Sequence, residues 1–175
     1  MVIRKTVFGL AVLLTAWYGI RSYDPVQANE QLNRAAPSIA SPLWINSAAL
    51  RNDDLRGKVF LVEFWTFDCY NCRNVEPYVK QWYKKYHQQG FEVIAVHSPE
   101  FSHEKIPANV RAYVERNGIG YPVAIDNDFS IWKRFNNHYW PAMYLVDKKG
   151  NVRYYHFGEG RYRQTESKIR ELLGE

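Results

Sequence analysis

Two cysteines three positions apart carry the most specific chemistry in this sequence. Cys69 and Cys72 form a Cys-x-x-Cys motif, and the chain contains no other cysteine. They follow a run of β-branched and aromatic residues, Val59 to Trp65, and they precede a segment with helical periodicity. This order predicts a strand that delivers a dithiol to the start of a helix. The chemistry expected of such a dithiol is thiol-disulfide exchange.

The predicted position of the motif gives each sulfur a different role. Amide groups at a helix N-terminus favour negative charge, so they lower the pKa of a thiol there from its free value of about 8.5. Because the thiolate is the attacking species in disulfide exchange, Cys69 is the predicted nucleophile. Cys72 falls about one helical turn later on the same face and closer to the core, where it can resolve a mixed disulfide.

Three other uses of a Cys-x-x-Cys pair fit the sequence less well. A structural zinc site needs about four ligands, whereas the five histidines of this chain are scattered. Covalent haem attachment requires a histidine directly after the second cysteine, and Arg73 stands there. A purely structural disulfide would close a short loop and remove little entropy from the unfolded chain. The sequence therefore predicts no metal and no bound cofactor at the motif.

Two alternatives come from other functional classes. A thiol peroxidase of the peroxiredoxin type needs a threonine three residues before its cysteine and a proline four residues before that threonine. Thr66 meets the first requirement, but Val62 occupies the second position. A copper-delivery protein could hold Cu(I), which prefers soft ligands, with Cys69, Cys72 and a distant histidine such as His138. The spacing demands neither function, and both stay open as alternatives.

Short motifs along most of the chain resemble one branch of the thioredoxin family. Trp65 lies four residues before Cys69, Glu63 lies six before it, and a Trp140-Pro141 pair precedes a later strand-like run. The further motifs, in chain order, are Trp44-Ile45-Asn46-Ser47, Gly57-Lys58, Phe64-Trp65-Thr66, His97-Ser98-Pro99-Glu100-Phe101, Ala108-Asn109-Val110-Arg111, Tyr121-Pro122-Val123-Ala124 and Gly158-Glu159-Gly160. Their order over residues 37–173 is similar to that of the TlpA-like and DipZ-like thioredoxins, which are membrane-tethered or secreted.

The resemblance implies a fold and an activity. The implied fold is a thioredoxin-like α/β three-layer sandwich with a central mixed sheet, and the implied activity is that of a thiol-disulfide oxidoreductase. One departure concerns Tyr70 and Asn71, the residues between the cysteines. They match neither the Gly-Pro of ordinary thioredoxins nor the Pro-His of the oxidant DsbA, so the resemblance implies no particular reduction potential.

The resemblance also implies roles for Glu63 and Pro141. Glu63 stands in an otherwise apolar strand, where an unpaired charge is costly, so we expect it to be neutral or partnered. In thioredoxins the matching acid lies beneath the second cysteine, and there Glu63 would relay a proton to and from Cys72; a surface ion pair is the alternative. The matching proline is cis and faces the dithiol, whereas the sequence alone also allows a trans proline at a strand start.

Aromatic residues near the motif indicate a protein partner. Trp65, Phe67, Tyr70 and Trp140 would form an aromatic collar around the sulfurs. An apolar rim suits flexible protein segments better than it suits a small charged thiol. The predicted partners are therefore protein disulfides or dithiols, and the predicted substrate-binding residues are Trp65, Tyr70, Trp140 and Pro141. Because aromatic residues make up 16% of the chain, a core role for the collar is the alternative.

The first residues predict the compartment. Arg4 and Lys5 precede an apolar run at residues 7–20, and Arg21 follows it. This pattern is typical of a signal peptide or a short signal anchor that leaves its basic end in the cytoplasm. The run is shorter than the roughly 20 residues that span a bilayer comfortably, and a cleavage-like Val26-Gln27-Ala28 follows it. The predicted location is periplasmic or extracytoplasmic, either secreted or tethered to the inner membrane through residues 7–20.

The pattern divides the chain into three parts. Residues 1–28 are the signal peptide or anchor, residues 29–42 are a linker rich in Ala, Pro, Ser and Asn, and residues 43–175 are one thioredoxin-like domain.

Strands and helices are predicted to alternate within the domain. Predicted strands are Leu43 to Ile45, Val59 to Trp65, Phe91 to His97, Val123 to Ile125, Met143 to Val146 and Val152 to His156. Predicted helices are Cys69 to His87, Ala108 to Asn117, Asp128 to Phe135 and Arg161 to Leu173. This alternation implies a sheet covered on both faces.

One polar segment is predicted to lie outside the minimal thioredoxin fold. The polar stretch from Ser98 to Pro107, with His103, Glu104 and Lys105, is predicted to be a surface insertion relative to a minimal thioredoxin.

The formal net charge of +5 is not concentrated in a basic stripe, so the sequence does not indicate binding to nucleic acid. Because members of the resembling branch typically reduce their partners with electrons from a membrane relay, the predicted direction is reduction and the predicted donor is such a relay.

Overall fold

A computed structural model describes residues 32–175 of the chain. The predicted signal segment, residues 1–28, and the first residues of the predicted linker lie outside the described residues. Six strands are present in this part, in chain order β1 Trp44–Ile45, β2 Val59–Trp65, β3 Phe91–His97, β4 Val123–Ile125, β5 Ala142–Val146 and β6 Val152–Phe157. The α-helices are α1 Tyr70–Tyr86, α2 Pro107–Arg116, α3 Ser130–Arg134 and α4 Tyr162–Gly174. Short 3-10 turns lie at Asn52–Leu55, His87–Gln89 and Ser102–Lys105.

The strands form one mixed sheet in the order β1-β4-β3-β2-β5-β6. The strand that precedes the dithiol, β2, is central: it pairs in parallel with β3 and antiparallel with β5. All seven residues of β2 are buried, which explains why the strand reads as a nearly continuous apolar run. The position of Cys69 is therefore fixed by a strand that is hydrogen-bonded on both edges.

The two faces of the sheet carry separate hydrophobic clusters. On one face Leu61 and Trp65 pack with Cys72, with other residues of α1 and with α4. On the other face Phe60, Val62 and Phe64 pack with residues such as Ile131 of α3. Because side chains alternate along a strand, Glu63 shares the face of Leu61 and Trp65, which is the face that α1 covers. The predicted three-layer sandwich with a central mixed sheet is confirmed.

Strands β2, β3 and β4 have the predicted boundaries, the other elements differ from the predictions by one or two residues, and three short turns were not predicted. Helix α1 begins after Cys69 because the cysteine is its N-cap, with extended backbone angles, rather than its first helical residue. The 3-10 turns have no periodic apolar signal of their own, so the sequence pattern does not mark them.

The described part of the predicted linker packs against the domain. The Ala36 N–H group donates to the Gly150 carbonyl at 2.8 Å, and Ile39 is fully buried. The guanidinium of Arg134 donates to the carbonyls of Ser38 and Ala40. A composition rich in small polar residues does not reveal these backbone pairings. Within residues 32–175, none of the helices has the length and apolar character needed to cross a membrane.

Candidate active site

The two cysteines form a disulfide at the start of α1. Their Cα atoms are 5.2 Å apart, and Cys69 is the helix N-cap. Its Sγ atom accepts a hydrogen bond from the Cys72 N–H group at 3.1 Å. Cys69 is half-buried, whereas Cys72 is only 3% exposed. A partner can therefore reach Cys69, and the helix N–H that would stabilise a thiolate already points at its sulfur.

Glu63 is buried on the face of the sheet against which Cys72 and the rest of α1 pack. It is 3% exposed and stands opposite Ala95 of β3 and Met143 of β5. This burial excludes the surface ion pair considered above. Burial raises the pKa of Glu63 to about 8, and the negative charge of Glu76 adds to the rise. Glu63 is therefore a mostly protonated acid at neutral pH, held under the dithiol helix.

Glu76 is a second acid in this region, and it was not among the residues predicted from the sequence. It follows Cys72 by four residues, so both lie on the buried face of α1. Its Oε1 atom accepts from Lys80 Nζ at 2.8 Å, and its Oε2 atom accepts from the Tyr113 hydroxyl at 2.9 Å. Lys80 Nζ also donates to the Asn117 carbonyl at 2.9 Å. The four-residue spacing of Glu76 from Cys72 could have predicted this acid, because it places a carboxyl group on the apolar face of the helix.

Removing the charge of Glu76 should lower the pKa of Glu63. In Glu76→Gln we expect the ionisation midpoint of Glu63 to fall below 8 but to stay above 4.5, because burial is the larger cause of the rise. Infrared titration of the protonated carboxyl stretch, assigned by its loss in Glu63→Gln, measures this midpoint. Glu92→Gln removes another buried acid and serves as the matched control. An unchanged midpoint in Glu76→Gln would show that the two carboxyl groups are not coupled.

The peptide bond between Trp140 and Pro141 is cis, as the family resemblance implied. The Pro141 carbonyl accepts from the Gly158 N–H group at 2.8 Å, which ties this loop to the end of β6. The Trp140 indole N–H donates to the Ser98 carbonyl at 3.0 Å. Trp140 and Cys69 are both partly buried against the core cluster that contains Cys72. The loop before Pro141 and the dithiol therefore border the same core cluster.

The four residues of the predicted aromatic collar differ in exposure. Tyr70 is 70% exposed and lies next to Cys69, whereas Trp65 is 4% exposed and belongs to the core beneath the site. Phe67 is half-buried and stacks on His97 and Tyr113, with ring centroids 5.6 and 5.7 Å apart. Trp65 can shape the site only from below. The rings that remain open to a partner are those of Tyr70, Phe67 and Trp140.

Glu104 anchors the loop that precedes Cys69. It is fully buried, although the polarity of its segment predicted a surface position, and that prediction was wrong for this residue. Its carboxylate accepts from the backbone N–H groups of Asp68 at 3.1 Å, Glu100 at 2.6 Å and Phe101 at 2.8 Å. Burial alone would raise the pKa of Glu104, but the Thr66 hydroxyl and these N–H groups lower it below its ordinary value. The buried carboxylate thus fixes the position of Asp68, the neighbour of Cys69.

His97 and Thr66 extend this network into the core. The His97 Nε2 atom lies 3.2 Å from Thr66 Oγ1, and both residues are fully buried. Burial lowers the pKa of His97 to about 4 although the charge of Glu104 opposes the change, so the ring is neutral at pH 7. Thr66, the residue that fits a peroxidase pattern, is thus bonded to His97 and Glu104. In the part of the chain that the structure covers, no three His, Cys, Asp or Glu side chains come together as metal ligands.

Comparison with known proteins gives consistent matches. The model of the AhpC/TSA family matches residues 32–155. Protein DipZ of Mycobacterium tuberculosis is 44% identical over 135 residues, which cover 75% of this chain and 19% of DipZ. Thiol-disulfide oxidoreductase ResA of Bacillus thuringiensis is 31% identical over 167 residues, which cover 93% of this chain and 92% of ResA.

A solved structure agrees with these matches. The crystal structure of a thiol-disulfide isomerase from Corynebacterium glutamicum superposes with a TM-score of 0.69 at 30% identity, and the superposition covers 80% of this chain and 97% of that one. The two relatives differ in how much of their own length the match covers. The chain spans about a fifth of the length of DipZ, whereas it spans nearly all of ResA.

Proposed function

The chain belongs to the AhpC/TSA family and carries a thiol-disulfide oxidoreductase domain of the thioredoxin fold, and we propose that Cys69 and Cys72 exchange disulfides with protein partners. The observation that carries this proposal is the asymmetry of the pair. Cys69 is accessible at a helix N-cap, and Cys72 is buried behind it on the face that also holds Glu63. A purely structural disulfide requires neither an accessible sulfur nor a buried acid.

The first step is attack by the Cys69 thiolate on one sulfur of a partner disulfide. The partner S–S bond breaks, one partner sulfur leaves as a thiolate and takes up a proton, and a Cys69–partner disulfide forms. Cys72 then loses its proton and attacks Cys69 Sγ, which releases the second partner sulfur. The partner gains two electrons and two protons, and the Cys69–Cys72 disulfide is formed. An external dithiol donor must reduce this disulfide before the next cycle.

Glu63 acts on the proton of Cys72. With its pKa raised to about 8, roughly one molecule in ten carries the Glu63 carboxylate at pH 7 and can accept that proton. The protonated majority can return a proton to Cys72 when the disulfide is reduced again. A surface glutamate with an ordinary pKa would be ionised almost completely and could not do so. We therefore assign Glu63 as the proton relay and Trp140 and Pro141, with Tyr70, as the surface against which the partner lies.

The direction, the compartment and the donor are part of the same proposal. We assign the chain as a reductant that works outside the cytoplasm, with residues 1–28 as signal peptide or anchor and a membrane electron relay as its donor. The support is the basic and apolar pattern of the first residues together with the similarity to DipZ and to the oxidoreductase ResA. The folded domain would then face the partner proteins.

Turnover of a protein disulfide tests this function. The full chain in mild detergent should accelerate the reduction of insulin by dithiothreitol, because Cys69 offers a thiolate at neutral pH where dithiothreitol is mostly protonated. The double variant with Ser at positions 69 and 72 is the control for non-catalytic effects. Acceleration only of the reverse reaction, oxidation of a reduced protein, would overturn the assigned direction. Acceleration of neither reaction would overturn the function.

A further inference from the structure

A concavity of about 410 Å³ lies beside the Trp140-Pro141 loop and is not used in the exchange mechanism. Its walls are aromatic, formed by Tyr139, Trp140, Tyr155 and Phe157. His156, Gly158 and Arg161 complete the lining, so Arg161 is the residue with a permanent charge in it. The volume is enough for one or two amino-acid side chains. An aromatic surface with one fixed cation suits a ligand that is apolar with one negative group.

The charge of the concavity belongs to the guanidinium of Arg161. Among residues 32–175, no carboxylate lies within ion-pair distance of its guanidinium. The acid nearest in sequence, Glu159, accepts instead from the Asn74 side chain at 3.1 Å. Burial lowers the pKa of His156 and the charge of Arg161 lowers it further, although the bond between its Nε2 atom and the Glu159 carbonyl at 3.0 Å opposes the change, so the ring is mostly neutral at pH 7. The concavity therefore presents a single positive charge.

The backbone holds Arg161 in this position. Its φ angle of 50° is in the left-handed region, which non-glycine residues rarely adopt, and it follows Gly160 at 91°. The Arg161 carbonyl accepts from both the N–H group and the hydroxyl of Thr165, at 2.9 and 3.1 Å, so the first turn of α4 fixes the backbone.

The concavity adjoins the Trp140-Pro141 loop through Trp140. Trp140 lines it and also packs on the core cluster that contains Cys72. Gly158, on its other side, donates its N–H to the Pro141 carbonyl. A polypeptide that lies along Pro141 to present its sulfur to Cys69 therefore places a neighbouring residue at this concavity.

We propose that the concavity is a specificity subsite that binds an aspartate or glutamate side chain of the partner polypeptide, with Arg161 as its counter-ion and the aromatic walls packing against the adjacent apolar residue. The inference rests on the proposed function, because the partner must be a polypeptide whose sulfur reacts with Cys69. It adds to that function a preference for acidic sequence next to the partner cysteine.

Model peptides test the subsite directly. Each peptide carries one cysteine as a mixed disulfide with thionitrobenzoate, and Glu, Gln or Lys is placed in turn at each neighbouring position of an otherwise neutral sequence. The Cys69 thiolate of the reduced full chain attacks the peptide sulfur, the peptide S–S bond breaks, and the coloured thionitrobenzoate thiolate leaves. We expect the Glu peptide to react about tenfold faster than the Gln peptide at one position, with an advantage that shrinks as salt is added.

Variants of two arginines decide the outcome. In Arg161→Gln the Glu-to-Gln rate ratio at that position should fall to about one, and in Arg161→Glu the preference should shift to Lys. Arg163→Gln removes an exposed cation from the first turn of α4, two residues after Arg161, and should keep the wild-type ratio. A ratio near one at every position in the wild type, or a ratio that persists in Arg161→Gln, would overturn the subsite. Failure of all peptides to react would instead overturn the exchange function itself.

Discussion

Replacing Cys69 by serine is expected to abolish disulfide exchange, whereas replacing Cys72 by serine is expected to trap the partner as a stable mixed disulfide. The two outcomes differ because Cys69 is partly exposed at the helix N-cap, whereas Cys72 is buried. Turnover in Cys69→Ser should fall by at least about a thousandfold, the scale expected when a nucleophile is removed. In Cys72→Ser the first attack still occurs, but no second sulfur is present to release the partner.

Each variant is the matched control of the other, because each removes the internal disulfide and changes one sulfur to oxygen. The measurement combines the insulin reduction rate with mass spectrometry of the partner adduct under acid quench. The adduct should accumulate in Cys72→Ser and be absent in Cys69→Ser. Full turnover in Cys69→Ser, or adduct formation through Cys72, would show that the assignment of the attacking sulfur is wrong.

Replacing Glu63 by glutamine is expected to remove a large pH dependence of stability in the disulfide form. Burial raises the pKa of Glu63 from 4.5 to about 8, so the folded protein holds a proton that the unfolded chain releases between these values. The contribution of Glu63 to the free energy of unfolding is complete below pH 4.5 and is lost as the pH rises through 8. At about 1.4 kcal/mol per pH unit, the whole loss is on the order of 5 kcal/mol.

The window from pH 6.5 to 8 isolates this effect. His97 has its pKa lowered from 6.5 to about 4, so its own opposite contribution to stability is already complete above pH 6.5. Across the window the free energy of unfolding of the wild type should fall by about 2 kcal/mol because of Glu63, and that fall should be missing in Glu63→Gln. Urea unfolding of both proteins at matched pH values, with the disulfide intact, measures the difference. Equal slopes in the two proteins would mean that Glu63 does not hold its proton in the folded state.

The sequence predicted those features that depend on local pattern. The run from Val59 to Trp65 and the following helical periodicity were sufficient to place Cys69 at a helix start, because strand and helix signals change at the motif itself. The position of Glu63 beneath the dithiol helix was implied by family resemblance alone. Period-2 alternation cannot tell which face of a fully buried strand meets the helix, since both faces are apolar.

The sequence could not reveal contacts that depend on distant segments. Glu104 belongs to a polar stretch, and only the fold brings it to the N–H group of Asp68 and the hydroxyl of Thr66. Similarly, Arg161 stands in a glycine-rich turn whose sequence gives no sign of a concavity. That concavity exists because the end of β6 meets the Trp140-Pro141 loop. Buried polar anchors and concave surfaces are tertiary features, and no local periodicity encodes them.

The reduction potential of the Cys69–Cys72 pair decides whether this chain reduces or oxidises its partners. The full chain would be equilibrated in dithiothreitol or glutathione buffers of graded ratio, quenched with acid, and its free thiols quantified. We predict one reversible two-electron transition with a midpoint near or below the approximately −270 mV of thioredoxin, as a reductant with a dedicated electron donor requires. A midpoint near the approximately −120 mV of DsbA, or a disulfide that does not cycle at all, would contradict this account.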